Sequence, residues 1–383
     1  MNTIAPIGPE TWPGEGQIWV KEARRLAPGL DGLLTWAYEQ GASRIAFQTG
    51  HPVALRIHGR NRPGTRGNVD HMTLVEIVNH LYGAAGSARL ENGHDFDLSY
   101  SINLTRTRQL RFRVNGTPTI TRRRDGANLV LRPISDLPPS LDEQMVEPEI
   151  REAARPESGL IFIGGATGSG KTTLQAGLLV DKLTDPSMHC HIVTGEAPVE
   201  YLLEGIRSPN GSTINQTEIL RSLPCFEEFI RGCTRREATD ILVGECRDGP
   251  TMVASLNAAM IGGVLMTTIH ADDAPLMMQR AASLCPPEDR QNLVSVLAQS
   301  MRLVINQRLI PSVDGKRVAI REFLVFDRAL RMKLLRSDPM QWPTIVAGGV
   351  EHQGQTYAKA ITKALEAGRI TQAVADKALR RDS

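Results

Sequence analysis

Two kinds of apolar patterning divide the chain. Up to about residue 132 the elements are short and half-apolar. Leu33-Leu-Thr-Trp-Ala-Tyr38 and Leu74-Val-Glu-Ile-Val-Asn-His-Leu81 carry helical spacing. Ser43–Phe47, Val53–Ile57, Phe96–Ile102 and Leu110–Val114 alternate as half-buried strands do, with Gly50 and Pro52 marking the turn between the first two. A compact α+β domain over residues 29–132 is expected. From Gly159 the pattern changes to uninterrupted apolar runs, Leu160–Ile163, Cys190–Thr194, Asp240–Gly244 and Val264–Ile269, separated by helical stretches. Strands buried on both faces read this way, so residues 159–383 predict an α/β domain, a mainly parallel sheet covered by helices. Arg317–Asp327 alternates like a further strand, and the tail after Gly354 predicts two helices broken near Gly368. Between the domains, Pro133, Pro138, Pro139, Pro148 and Pro156 forbid one continuous element, so residues 133–158 read as a linker. Residues 1–28, rich in Pro and Gly, read as a flexible N-terminal arm.

Composition narrows the function classes. A chain of 383 residues has room for two domains, and a net charge of +2 provides no global field for nucleic acid or an anionic membrane. The longest apolar runs fall far short of the ~20 residues a bilayer span needs, and the first residues lack the pattern of a secretory signal. Five scattered cysteines with no C-x-x-C pair suggest reduced thiols rather than a zinc site. A cytoplasmic location is expected.

The chemistry begins where the second pattern begins. Gly165, Ala166, Thr167, Gly168, Ser169, Gly170, Lys171 and Thr172 spell G-x-x-x-x-G-K-[ST], between an apolar run and a helical stretch that opens at Thr172 and Thr173. Glycines let successive backbone N–H groups turn inward around a phosphate, and the helix N-terminus adds the positive end of its dipole. Lys171 is expected to reach the β- and γ-phosphates of ATP, and the Thr172 hydroxyl to hold Mg²⁺.

Three further groups stand at or just past predicted strand ends, the edge where open α/β sheets bind ligands. Ile241-Leu-Val-Gly-Glu245 ends in an acid that can order Mg²⁺ through its waters or orient the attacking water. Ile192-Val-Thr-Gly-Glu196 ends in another, followed by Pro198 and Glu200, and Thr267-Thr-Ile-His270 supplies an imidazole. Singly, such an acid is more often a helix cap and such a histidine a structural residue; together behind a phosphate loop, Glu196, Glu245 and His270 read as catalytic. A basic cluster, Arg106, Arg108, Arg111, Arg113, Arg122, Arg123, Arg124 and Arg132, leaves three readings open. It could be a nucleic-acid surface, a solvated face, or guanidiniums that reach nucleotide phosphates at a domain or subunit boundary. Aromatic residues make up only 4% of the chain, which argues against a base-stacking platform. Arg111, Arg113 and Arg123 are the candidates for the nucleotide.

Taken in order, these motifs resemble the secretion ATPases of the type II/type IV superfamily, including the pilus-retraction motors and the DotB/TraJ-type branch of Dot/Icm and IncI-plasmid conjugation systems. The resemblance runs from Leu33 to Asp327. Gly41-Ala-Ser-Arg-Ile45, Gly50-His-Pro-Val-Ala-Leu-Arg56, Gly59, Asp95–Tyr100 and Arg111-Phe-Arg-Val-Asn115 match its first-domain signatures. Thr194–Glu200 resembles its Asp box, Ile241–Asp248 its Walker B run, Thr268-Ile-His270 its His box and Gln307-Arg-Leu309 its SQRL run. Arg44 and Ala197 stand where the family has Asp. Segment Gly116–Asn128 is longer than in retraction motors, a trait of the DotB-like branch, and the tetracysteine element of pilus-assembly members is lacking.

The resemblance implies a RecA-like P-loop ATPase core behind a smaller N-terminal PAS-like α+β domain, assembled as a hexamer. Its nucleotide would be clamped by N-terminal arginines, and its partners would be inner-membrane secretion or conjugation components met on the cytoplasmic side. A motor for a conjugative or Dot/Icm-like type IV secretion system is the leading expectation. Pilus retraction is the first alternative, and a DNA-dependent ATPase using the arginine cluster is the second.

Overall fold

The computed structural model describes residues 10–11, 17–18, 29–57, 60–105, 109–121, 125–134 and 137–380. The chain forms two compact units, residues 1–136 and 137–383. The arm expected over residues 1–28 lies outside the described residues except for β1 (Glu10–Thr11) and β2 (Gln17–Ile18), which pair antiparallel.

In the first unit, α1 (Leu30–Glu39) buries Leu30, Leu33, Leu34 and Ala37, one face at helical spacing. Then come β3 (Ala42–Gln48), β4 (Ala54–Ile57), β5 (Arg60–Pro63), α2 (His71–Tyr82), α3 (Gly86–Glu91), β6 (Phe96–Asn103), β7 (Gln109–Ile120) and β8 (Asp125–Ile134). The six strands form one sheet in the order β5-β4-β3-β8-β7-β6, every neighbouring pair antiparallel. Asp70 caps α2 by accepting from the Thr73 N–H at 2.7 Å. Helix residues Leu34, Ile77 and Val78 bury with Ile45, Phe47, Phe112, Val114, Leu129 and Leu131 of the sheet. A Cβ at Gly116 would fall 2.3 Å from the Phe96 ring, so glycine is what lets that ring lie across β7. The long segment 116–128 is a hairpin, its pairing carried out to Ile120 opposite Asp125.

The second unit contains α4 (Pro148–Ala153), β9 (Gly159–Gly164), α5 (Lys171–Thr184), β10 (His191–Glu196), β11 (Thr213–Glu218), α6 (Phe226–Cys233) and β12 (Asp240–Val243). It continues through α7 (Gly249–Ile261), β13 (Val264–Ile269), α8 (Ala274–Leu284), α9 (Arg290–Ser300), β14 (Met301–Pro311) and β15 (Arg317–Val325). It ends with α10 (Arg328–Leu335), α11 (Trp342–His352), α12 (Tyr357–Glu366) and α13 (Gln372–Leu379). A seven-stranded sheet runs β11-β10-β12-β13-β9-β14-β15, parallel except for β15. Both faces are covered. Leu160 and Phe162 join the core under α6 to α11, while Ile161 and Ile163 join the core under α5. Burial on both sides explains why these strands show no polar alternation. Val318 and Ile320 pack against Tyr357, Ala360, Ile361 and Ala364 of α12. The break between α12 and α13 falls at Gly368, whose φ is +66°.

Segment 133–158 differs from a free linker. Its first two residues complete β8, and Leu141, Ile150 and Ala154 are buried in the core against α5. Prolines interrupt regular structure there without detaching the chain from the core. Strands β11 and β14 escaped the sequence reading. The first is a polar edge strand, and the second carries Asn306 and Gln307, polar yet 0% and 2% exposed.

Candidate functional site

The site gathers at the carboxyl ends of β9 and of β13, β12 and β10, which follow it in that order on one side of the sheet, the edge where open α/β sheets bind ligands. After β9 the backbone turns through Gly165, Gly168 and Gly170, with φ of +131°, +78° and +86°. Side chains would be excluded at two of them. A Cβ at Gly165 would come within 2.3 Å of the Gln307 carbonyl oxygen, and one at Gly170 within 2.8 Å of Gln307 Nε2. Gly170 is the residue before α5, so the loop delivers its amides to a helix N-terminus. Lys171 Nζ bends over the loop and donates to the carbonyls of Gly165 (2.8 Å) and Ala166 (3.0 Å). Burial pushes its pKa down, opposed by the charges of Glu245 and Glu200. Ser169 Oγ is buried without a hydrogen-bond partner. A cradle that admits no Cβ, a lysine satisfied only by carbonyls and an orphaned hydroxyl suit an anion of phosphate shape.

Around this loop the strand ends converge. Glu245 follows β12 after Gly244, its side chain 17% exposed and ion-paired with Arg247. Gly244 N–H donates to Gly195 O at 2.8 Å, and a Cβ on Gly244 would sit 3.3 Å from Glu196 Cα. That close approach places the two acid-bearing turns side by side. Glu196, buried at the last position of β10, accepts from Thr194 Oγ1 at 2.6 Å and Gln216 Nε2 at 3.1 Å. His270 stands just past β13; desolvation pushes its pKa down first, then the nearby charges of Lys171 and Arg247, against Glu245 and a hydrogen bond with the Gly165 backbone. Thr172 and Thr173 open α5, and Thr173 Oγ1 is 3.1 Å from Tyr201 OH. Glu245, His270 and Lys171 thus interact at one edge, and the turn that carries Glu196 lies beside that of Glu245. Carboxylates and an imidazole there can orient water, and the lysine can stabilise anionic charge.

Part of the surroundings carries no local signal in the sequence. Arg247 holds Glu245, yet it reads as an ordinary residue after a strand. A cavity of about 180 Å³ beside Ala166–Ser169 is lined by Asp272, Asn306, Arg308, Leu309 and Arg317. Arg308 and Leu309 belong to the run Gln307-Arg-Leu309, whose resemblance to a family motif carries no indication of a cavity. Arg308 is held there, its guanidinium 3.8 Å over the Tyr357 ring and its Nη2 donating to Asp272 O at 3.0 Å.

The arginine candidates belong to the first unit. Arg111 and Arg113 lie on β7 opposite Ser101 and Ser99 of β6. Arg111 is buried, which removes it from a solvated face, and half-exposed Arg113 lies 3.8 Å from Asp97. Arg123 lies outside the described residues, as do Arg106, Arg108, Arg122, Arg124 and Gly59. Among the described residues no helix is long and apolar enough to cross a membrane.

Known proteins share this architecture. The chain is 30% identical to the type IV pilus retraction ATPase PilT of Pseudomonas aeruginosa over 319 residues, 83% of this chain and 88% of that protein. The crystal structure of the Legionella pneumophila ATPase DotB superposes with a TM-score of 0.80 at 32% identity, covering 97% of this chain and 99% of the other. A pilus retraction motor PilT solved with bound ADP gives 0.76 at 26% identity, over 91% and 96%. The α/β core is accordingly of RecA-like type. The family match covers residues 21–374, and the chain belongs to the type II/IV secretion system protein family.

Proposed function

We propose that this protein hydrolyses ATP as the cytoplasmic motor of a type IV secretion apparatus of the conjugative or Dot/Icm-like kind, working as a hexameric ring. The observation that supports the reading is the interaction of Lys171, Glu245 and His270 at a glycine-built loop suited to phosphate, with the turn of Glu196 packed against that of Glu245. Lys171 exchanges the Gly165 and Ala166 carbonyls for phosphate oxygens. Glu196, held by Thr194 and Gln216, orients the attacking water, and His270 stays neutral beside it. Thr172 and Glu245 would hold Mg²⁺, which would supply positive charge at the phosphates. Arg111, Arg113 and Arg123 serve a nucleotide from the N-terminal domain, and hydrolysis releases that clamp. The machine is reached through inner-membrane components; direct nucleic-acid binding is disfavoured by the scarcity of aromatic residues, 4% of the chain.

Similarity to DotB over nearly the whole of both chains favours secretion. A second reading, pilus retraction, is favoured by the likeness to PilT. Lys171→Ala should abolish turnover, and Glu245→Gln should retain ATP while slowing hydrolysis roughly a hundredfold. Wild-type turnover by the Lys171 variant would remove the site assignment. Capture of the Glu245→Gln variant from its native cell with ATP present separates the two machines. Conjugation or Dot/Icm-type core proteins support secretion, whereas pilus platform proteins and pilins establish the retraction reading instead.

A further inference from the structure

Behind the phosphate loop, on the side away from Glu245, buried polar side chains run through the core. Gln307 of β14 donates Nε2 to the carbonyl of Ser169, within the loop, at 2.6 Å. Its Oε1 accepts from Arg321 Nε of β15 at 2.8 Å. Arginine can only donate, so the orientation of the Gln307 amide is fixed and its N–H must face the loop. Arg321, 1% exposed, spends its other donors on a single segment. Nη1 reaches Met145 O (2.9 Å) and Glu147 Oε2 (3.2 Å), and Nη2 reaches Gln144 O (2.9 Å). Gln144 returns to the nucleotide helix, donating Nε2 to Thr173 O at 3.2 Å and to Pro139 O at 2.7 Å.

Segment 139–147 therefore holds the phosphate loop through Arg321 and Gln307 at Ser169, and the helix that follows the loop directly at Thr173. It is also the piece of chain that enters the second unit from the first. Slack is absent along this path. Besides the close approaches of Gln307 to Gly165 and Gly170, a Cβ on Gly177 would come 2.3 Å from Gln144 Nε2. Close-packed groups of this kind move together or rearrange together. Gln355 extends the path, donating Nε2 to Glu147 Oε1 (2.8 Å) and Arg321 O (3.0 Å), while Lys363 of α12 donates to Gln355 Oε1 at 2.8 Å. A buried guanidinium is an expensive way to stabilise a core, and hydrophobic replacements often serve as well.

We propose that Gln307 and Arg321 are positioning residues of the nucleotide site, a relay that makes the shape of the phosphate loop and the placement of segment 139–147 one cooperative unit. The proposal rests on the reading of the chain as an ATP hydrolase. Filling the loop with nucleotide then tightens the segment through which the N-terminal domain is attached, and displacement of that segment loosens the loop.

The variant that separates this role from a structural one is Gln307→Glu. A carboxylate still accepts from Arg321, with added charge, but cannot donate to Ser169 O. The full-length protein should remain folded while KM for ATP and Kd for a fluorescent ATP analogue rise roughly tenfold. Hydrogen exchange should show ATP slowing residues 139–147 together with the loop in the wild type, and the loop alone in Gln307→Glu. That second readout distinguishes uncoupling from simple repulsion of phosphate. Arg321→Lys, which loses the planar fork, should uncouple the same segment with a lowered thermal midpoint. Wild-type KM and Kd in Gln307→Glu, or exchange over 139–147 that ignores ATP in the wild type, would overturn the relay. A wild type that binds no ATP would overturn the function itself, and the relay with it.

Discussion

Lys182 in α5 and Asp240 at the start of β12 form an ion pair of 2.5 Å between side chains 2% and 8% exposed. Asp240 Oδ2 also accepts from Thr239 Oγ1 at 2.9 Å. One residue sits on the helix that the phosphate loop opens, and the other begins the strand that leads to Glu245. Their pairing fixes the far ends of the two elements whose near ends carry the chemistry.

Breaking that pair from one side should be costly, because the remaining charge cannot regain water. Lys182→Met should destabilise the second unit by about 3–5 kcal/mol, and adding Asp240→Leu should recover most of the loss. Urea unfolding of the two single variants and the double variant checks this; simply additive losses would contradict it.

Glu196 presents a different balance. Thr194 and Gln216 hold its carboxylate in place, so Glu196→Gln should preserve the fold and lower kcat roughly a hundredfold with little change in KM. Gln216→Ala, which removes one of the two donors, should have a smaller effect in the same direction. Steady-state kinetics decide, and an effect confined to KM would move Glu196 from chemistry to binding.

His270 gives the site a pH signature. Its folded pKa lies below the ordinary value of 6.5, so between the two values the unfolded chain binds more protons than the native one. Stability should therefore rise with pH through that window and fall as the solution is acidified below 6.5. His270→Gln should flatten the dependence there, as read from thermal midpoints across pH. An unchanged slope would show that the imidazole is not desolvated in solution.

Thiol chemistry probes the packing on both faces of the sheet. Burial pushes Cys233 up to about 11, Cys246 to about 12 and Cys285 to about 11, and it raises Cys190 as well. Cys225, ahead of α6, is the only cysteine that is not buried. Iodoacetamide at mild pH should modify Cys225 first in the native protein and all five after denaturation, as counted by mass spectrometry. Early labelling of Cys246 or Cys285 would mean that α7 and α8 open readily.

Much of the site could be read along the chain because its parts are local. The phosphate loop needs a strand, glycines and a helix in immediate succession, and Glu196, Glu245 and His270 each end an apolar run. Backbone geometry and burial on both faces of a parallel sheet force those patterns into neighbouring residues. The prolines of residues 133–158 were equally local evidence, but they reported only where regular structure stops. Whether that stretch hangs free depends on Leu141, Ile150 and Ala154 finding a core, and the core is supplied by α5.

The strand order, the meeting of the strand ends and the interior role of Gln307 and Arg321 came from the tertiary structure. On its own, a polar residue in a strand points to water. Here Arg321 is buried because acceptors at residues 144, 145 and 147, far away in sequence, are brought to it by the folded chain. A desolvated charge survives only where partners are in place, and the placing of partners is a property of the whole fold.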